Sequence, residues 1–306
     1  MQLTHILPAC TLLVTGWSAP ERPDPMAGKA TLQTLGPVER LVRQDRFIVL
    51  ACVAAVISAS VAYTVFGVGM SMSALDMTRM AGPVGQPMSM GMEVQWTPGY
   101  GLLIFLMWWV MMIAMMTPSA APVLLLFTAI KRMGPDRRSA VQLSGLFLVG
   151  YLLIWAGFSA LAAVAQLGLE AAGLSDGSMM AIRSRGFAGL VLIAAGLYQF
   201  SALKNACLKH CRSPAHYLAE HNHPGRAGAL RMGLEHGAYC LGCCWALMAL
   251  LFVGGVMNLY WIVGIALYVA AEKLLPAARW LETTLGGVLI CTGIYMVYGA
   301  VIPLGG

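Results

Sequence analysis

Charge is what this sequence lacks. Of its 306 residues only 10% are Asp, Glu, Lys or Arg, whereas a soluble domain of this size carries roughly a quarter. Most of the chain therefore has no water to face. Also missing are a glycine-rich nucleotide loop, a GxSxG nucleophile turn and an HExxH metalloprotease helix. No basic run is interleaved with aromatics, so the net charge of +6 gives no reason to expect a nucleic-acid partner. A disulfide scaffold is not expected either. Five of the eight Cys fall between Cys207 and Cys244, in a chain otherwise built of long apolar stretches, and such clustering suits metal or redox chemistry better.

What is present is apolar sequence: 59% of residues are hydrophobic and the mean hydropathy is +0.74. A membrane-spanning helix needs about 20 such residues. Seven stretches qualify or nearly do: Phe47–Gly69, Gly101–Ile130, Ser144–Leu169, Phe187–Leu203, Ala238–Met257, Leu259–Ala271 and Leu285–Ile302. The sixth is short, and Asn258 would join it to the fifth as a tight hairpin. The expected fold class is all-α, a polytopic transmembrane helix bundle of about seven spans, lodged in a lipid bilayer. Lys and Arg accumulate on the cytoplasmic side. A cytoplasmic N-terminus places sixteen of the nineteen basic residues there, leaving Arg79, Arg183 and Arg185 outside. Residues 1–46 read as a tail, rich in Pro, Gly and Thr from Ser18 to Pro37. Residues 47–303 read as the transmembrane domain, with a Met-rich outer loop (70–100) and a Cys- and His-containing inner loop (204–239).

Twelve of the twenty-one Met lie between Met70 and Met116. Seven are in the expected outer loop: Met70, Met72, Met77, Met80, Met88, Met90 and Met92. A polar loop has no packing need for seven thioethers. Thioether sulfur is soft, is not protonated at ordinary pH and suits Cu(I) where a thiolate would be oxidised. In the second span, Met107, Met111 and Met115 recur every four residues along one helix face, while Met112 and Met116 form a second row one turn beyond Trp108. They make a ladder of sulfurs from the outer leaflet towards mid-depth, where Pro118 would disrupt the helix and Ser119 would help satisfy the freed backbone. Met also packs well in apolar cores, so the helix leaves packing and ligation both open.

The cysteines form two groups. Cys207, His210 and Cys211 share one face if the fourth span continues past Leu203 as a helix ended by Pro214. Cys240, Cys243 and Cys244 share a face at the start of the fifth span. Consecutive spans are usually neighbours, so up to five thiols and one imidazole would meet near the inner surface. Thiolates there would bind Cu(I), Zn(II) or an iron–sulfur cluster, and nearby Lys204, Lys209 and Arg212 would offset the negative charge. Thiol redox chemistry draws on the same residues. His216, His221, His223 and His236 read as solvated loop histidines, Cys52 and Cys291 as packing, and Glu272 and Lys273 as a mutual pair.

The segments FLMWWVMMIAMMTPSAAP, YQFSALKNACLKHCRSP and GAYCLGCCWALM resemble a family of bacterial metal-binding integral membrane proteins, some of them copper-delivery accessory proteins of polyphenol oxidase biosynthesis. With the Met-rich loop, the resemblance covers roughly residues 38–300; the long N-terminal tail departs from it. The resemblance implies metal binding at Met107, Met111, Met112, Met115 and Met116, at Cys207 and Cys211, and at Cys240, Cys243 and Cys244. The resulting expectation is a multi-pass protein of the bacterial inner membrane. It would handle copper(I) by transport or delivery, with a cuproenzyme or metallochaperone as partner and no catalytic role. A membrane thiol–disulfide oxidoreductase, or a scaffold with a structural zinc, are the alternatives.

Overall fold

The structure is a computed structural model that describes residues 37–67, 73–81, 97–176, 180–220, 223–275 and 279–301. It divides into two units, residues 1–43 and 44–306. Of the first, only the helical backbone from Pro37 is described, the opening of helix α1 (Pro37–Phe66). The second unit holds the remaining helices.

α1 presents Phe47, Leu50, Val61 and Phe66 outward and buries Val49 and Val53 against Val123, Leu124 and Phe127. The short α2 (Ala74–Arg79) is capped by Ser73, whose hydroxyl accepts from the Asp76 amide. It is tied to the core by the Leu259 amide, which donates to Thr78 Oγ1 at 2.9 Å. Next comes α3 (Pro98–Met133), with Thr97 as N-cap and Pro98 in its first turn, where the missing proline N–H costs nothing. At 36 residues it is about 54 Å long, well beyond a hydrocarbon core of about 30 Å. A single 3-10 turn, Arg137–Ser139, leads into α4 (Ala140–Ala171). Two two-residue strands follow, β1 (Ser175–Asp176) and β2 (Ala181–Ile182), paired antiparallel.

The fourth expected span is not one straight helix. α5 (Arg185–Gln199) and α6 (Ala202–Arg212) meet at 61° across Phe200 and Ser201. Ser201 accepts the Lys204 amide and so starts α6 as a new, capped helix. Pro214 does end α6, and itself opens α7 (Pro214–Glu220). The stretch expected as an inner loop is thus largely helical, and the fifth span begins much earlier than expected, as α8 (Gly225–Ala249), continued by α9 (Leu251–Gly254). Gly255, at φ 90°, turns the chain into α10 (Leu259–Leu274), with Asn258 accepting from the Tyr260 amide and donating to the Gly254 carbonyl. α11 (Arg279–Val301) closes the described chain.

The core is set by two close helix pairs. α4 lies on α8 with almost no gap. A Cβ on Gly150 would stand 2.4 Å from the Leu230 carbonyl oxygen, and one on Gly233 would stand 2.0 Å from that of Phe147. α11 lies on α5 in the same way through Gly189, Gly196, Gly286 and Gly293. Small residues let backbones approach where helices pack in apolar surroundings. α3 packs on α4, and α10 lies against α3, α6 and α8. Among the described residues, five helices are long and apolar enough to cross a membrane: Phe47–Phe66, Pro98–Met133, Arg137–Ala171, Gly225–Gly254 and Trp280–Val301; the bent α5–α6 pair makes a sixth if taken as one span. α10, with 16 residues, is shorter than the length a straight crossing needs.

Inside this bundle lies an ion pair. Lys204 on α6 and Glu272 on α10 are both fully buried, and the Lys204 ammonium donates to Glu272 and to the Gln199 amide oxygen. Tyr268 donates to the same carboxylate at 3.2 Å. Nearby, Arg212 pairs with Glu282 at 2.7 Å and donates to the Glu272 carbonyl. Removing one member of a buried pair strands the other charge, at about 3–5 kcal/mol, whereas replacing both by apolar groups is often neutral. Glu272→Leu should therefore lose about 3–5 kcal/mol of stability in detergent-solubilised unfolding measurements, and Lys204→Met/Glu272→Leu should recover most of it. Equal losses in the single and double variants would show that the pair's charge does not matter.

Candidate metal centre

The α3 methionines are interior. Met107, Met111, Met112, Met115 and Met116 are all buried, in one cluster with Trp108. The helix runs unbroken through Pro118 and Pro122, so the expected disruption at Pro118 does not occur. Neighbouring helices hold this segment: Trp108 donates its indole N–H to Gln166 at 2.7 Å, and Tyr151 donates to the Met116 carbonyl at 3.1 Å. Ser119 donates to that same carbonyl at 2.9 Å. The Met116 carbonyl, not one freed by the proline, is what Ser119 satisfies.

On α8, Cys240, Cys243 and Cys244 are buried on the face turned towards α3 and α10. Their spacing of three and four residues puts them on adjacent turns. The Cys243 and Cys244 thiols donate back to the Cys240 carbonyl at 3.0 and 2.8 Å. Cys244 Sγ lies 4.0 Å from Met116 Sδ, so the cysteine group and the methionine ladder meet at this contact. Cys240 Sγ has polar neighbours: Lys273 Nζ donates to it at 2.9 Å and the Tyr151 hydroxyl is 3.2 Å away. Lys273 also donates to Ser119 Oγ at 3.2 Å. A single ammonium thus joins α10 to a thiol of α8 and a hydroxyl of α3.

The α6 residues join this cluster unequally. Cys211 is buried on the side of α6 that faces Cys243. Cys207 is half-buried at the rim, its Sγ 2.6 Å from where a Cβ on Gly242 would stand. His210 is turned away. Its ring stacks on Tyr239 with centroids 4.2 Å apart, and Nδ1 is 2.9 Å from the Ala206 carbonyl oxygen. All seven described cysteines are free thiols.

Four further placements differ from the sequence reading. Glu272 and Lys273 do not pair with each other: consecutive helix residues point about 100° apart, so Glu272 meets Lys204 and Lys273 meets Cys240. His236 is not a loop residue. It is buried in α8 one turn before Cys240, ringed by Phe147, Tyr151 and Tyr217, and its Nδ1 has no hydrogen-bond partner. Cys52 and Cys291 are exposed, not packed. Of the outer methionines, Met77 is in the core and Met80 is half-buried, while Met70, Met72, Met88, Met90 and Met92, with His221, lie outside the described residues. His216 is exposed and His223 half-buried. In α7, burial and the nearby Glu235 carboxylate push the Tyr217 phenol well above its ordinary value, so it stays protonated and donates to the Met232 carbonyl at 2.8 Å.

Sequence reasoning missed Tyr151, placed His236 in a loop, gave Ser119 a different carbonyl and gave Lys273 the wrong partner. One signal was available. Ionisable residues inside an apolar helix are rare and usually face a site, and Glu272–Lys273 ends such a helix.

Among the described residues, no three His, Cys, Asp or Glu side chains are placed to hold a metal together. Thioether sulfur is a ligand that hard ions and zinc seldom use and Cu(I) accepts. The Cys244–Met116 gap suits this. It brings a thiol and a thioether from different helices to 4.0 Å in a buried place.

The fold and site define an all-helical protein with several membrane-length apolar helices around a buried thiol–thioether cluster. The chain belongs to the PpoB2 copper chaperone family, which it matches over residues 105–296. No curated protein matches it, and neither does any solved structure. The matched segment contains every sulfur of the α3, α6 and α8 groups and none of the loop methionines, so it is narrower than the resemblance read from the sequence.

Burial should order the thiols by reactivity. In folded, detergent-solubilised protein, N-ethylmaleimide should label Cys207 well before Cys240, Cys243 and Cys244, which should react only after denaturation; peptide mass spectrometry reads the sites. Equal labelling of Cys207 and Cys240 in folded protein would contradict the packing of α6 and α10 over α8.

Proposed function

We propose that this protein is a multi-pass bacterial inner-membrane copper carrier that holds Cu(I) between Cys244, Cys240 and Met116 and delivers it to a cuproenzyme or metallochaperone. The observation that carries the proposal is the Cys244–Met116 contact, where a soft thiol and a soft thioether from different helices meet in a buried place. Cys243 and Cys211, beside it, are the next ligands to which metal would pass towards Cys207 and His210 at the rim. The buried row Met107, Met111, Met112 and Met115 is the approach from the other end of α3, and Met70, Met72, Met80, Met88, Met90 and Met92 are the capture ligands in this reading. A two-thiolate Cu(I) centre carries a net negative charge, and Lys273 stands where it would balance it.

The orientation that goes with this reading has the N-terminus cytoplasmic and seven crossings, with α10 and the bent α5–α6 pair each counted as one. Copper family membership favours an accessory role over catalysis. Ligands must be deprotonated to bind, so loading releases protons and weakens as pH falls.

The test is copper stoichiometry of the purified protein reconstituted with Cu(I) under anaerobic conditions. Wild type should retain copper through desalting. Cys240→Ser/Cys244→Ser should lose it, and Met116→Leu should weaken it by roughly tenfold or more, equivalent to about 1.4 kcal/mol. Met107→Leu/Met111→Leu should slow loading and leave the final stoichiometry unchanged. Equal copper in wild type and the double Cys variant would end the proposal. Zinc in place of copper would point to a structural scaffold, and a metal-free protein with a reversible Cys240 disulfide would point to a thiol oxidoreductase.

A further inference from the structure

α6 has two faces. Lys204, Leu208 and Cys211 are buried towards the ion pair and the thiols. The opposite side carries Asn205 and Lys209, both exposed, and Arg212. This side borders an open cavity of about 850 Å³ in the elbow between α5, α6 and the start of α11, lined also by Gln199, Ser213 and Thr283. The volume falls in the range of small-molecule sites, and nothing in the copper reading uses it.

The cavity's chemistry is one-sided. Gln199 is 1% exposed, its Oε1 accepts from Lys204, and its Nε2 has no acceptor. That nitrogen has essentially no accessible surface, so the donors that border the cavity are those of Asn205, Lys209 and Arg212. Lys209 adds a positive charge. Arg212 spends Nε on the Glu272 carbonyl and one Nη on Glu282, leaving further guanidinium N–H groups. Glu282 is the cavity's carboxylate, and its charge is already matched by that arginine. The wall therefore offers N–H donors and net positive charge. Around it the surface is apolar: Phe200, Leu203 and Trp280 are 49%, 61% and 63% exposed at the bend and at the start of α11.

We propose that this elbow is a binding site for a phosphate oxyanion, the headgroup of an anionic phospholipid being its source, with the acyl chains lying over Phe200, Leu203 and Trp280. Basic pockets between membrane helices select such headgroups, and charge-assisted hydrogen bonds to phosphate oxygens provide the selectivity. The proposal does not depend on copper binding.

The experiment uses the full chain in detergent. Native mass spectrometry counts bound phosphatidylglycerol against phosphatidylcholine, and a parallel thermal-shift arm adds inorganic phosphate alone. Wild type should retain phosphatidylglycerol in preference to phosphatidylcholine. Lys209→Glu and Asn205→Asp alter exposed side chains and should leave the unliganded melting temperature unchanged. Lys209→Glu should reduce phosphatidylglycerol retention by roughly tenfold or more, and Lys209→Arg should preserve it. A phosphate-induced shift lost in Lys209→Glu, without lipid preference, would keep the oxyanion site and assign it a soluble source. Equal retention of both lipids, with no phosphate shift, would overturn the proposal, as would phosphatidylglycerol retention unchanged in Lys209→Glu.

Discussion

The close approach of α4 to α8 fixes the geometry on which the site depends. Gly150 and Gly233 leave no room for a Cβ between the two backbones, and that contact sets the depth at which neighbouring residues stand. Tyr151 follows Gly150 directly, so its hydroxyl reaches both the Met116 carbonyl and Cys240 Sγ. One tyrosine thereby ties α4 to α3 and α8 together. Were the helices a side chain further apart, the Cys244–Met116 contact would open with them, because α3 is positioned through α4 as much as through its own packing.

A second constraint comes from polarity. An apolar bundle gives charged groups no water, so each must find a partner within it. Lys204 and Glu272 solve this with each other, supported by Gln199 and Tyr268. Lys273 solves it with a thiol and a hydroxyl. The first solution is a closed ion pair and is enough for structure. The second is unusual, because a protonated thiol is a poor partner for an ammonium and a thiolate a good one. It places a fixed positive charge beside the sulfur cluster, which is the electrostatic setting an anionic metal–thiolate centre needs.

The ligand chemistry narrows the metal further. Cysteine alone would leave zinc, iron–sulfur and copper open. The described residues bring the Met116 thioether to within 4.0 Å of the Cys244 thiol, a soft pair that favours copper. The copper chaperone family match over residues 105–296 covers this whole arrangement.

Much of this was legible in the sequence. The scarcity of charge announced an apolar helical bundle, because residues with no water to face must pack together or meet lipid. The four-residue spacing of Met107, Met111 and Met115, and the CxxCC of α8, placed sulfurs on helix faces, because helix periodicity is local. What the sequence could not decide was which faces meet. Ser201 caps a new helix and bends α5 away from α6, so the Cys207, His210 and Cys211 face divides among Gly242, Tyr239 and Cys243. Glu272 and Lys273 are adjacent in the chain and 100° apart on the helix, so their partners lie on different elements. His236 looked like one loop histidine among four until α8 proved to begin at Gly225. Local spacing determined where sulfur lies along each helix; only the tertiary approach of α3, α4, α8 and α10 decided which sulfur faces which charge, because those contacts join residues on different helices, 33 positions apart for Lys273 and Cys240 and 128 for Met116 and Cys244.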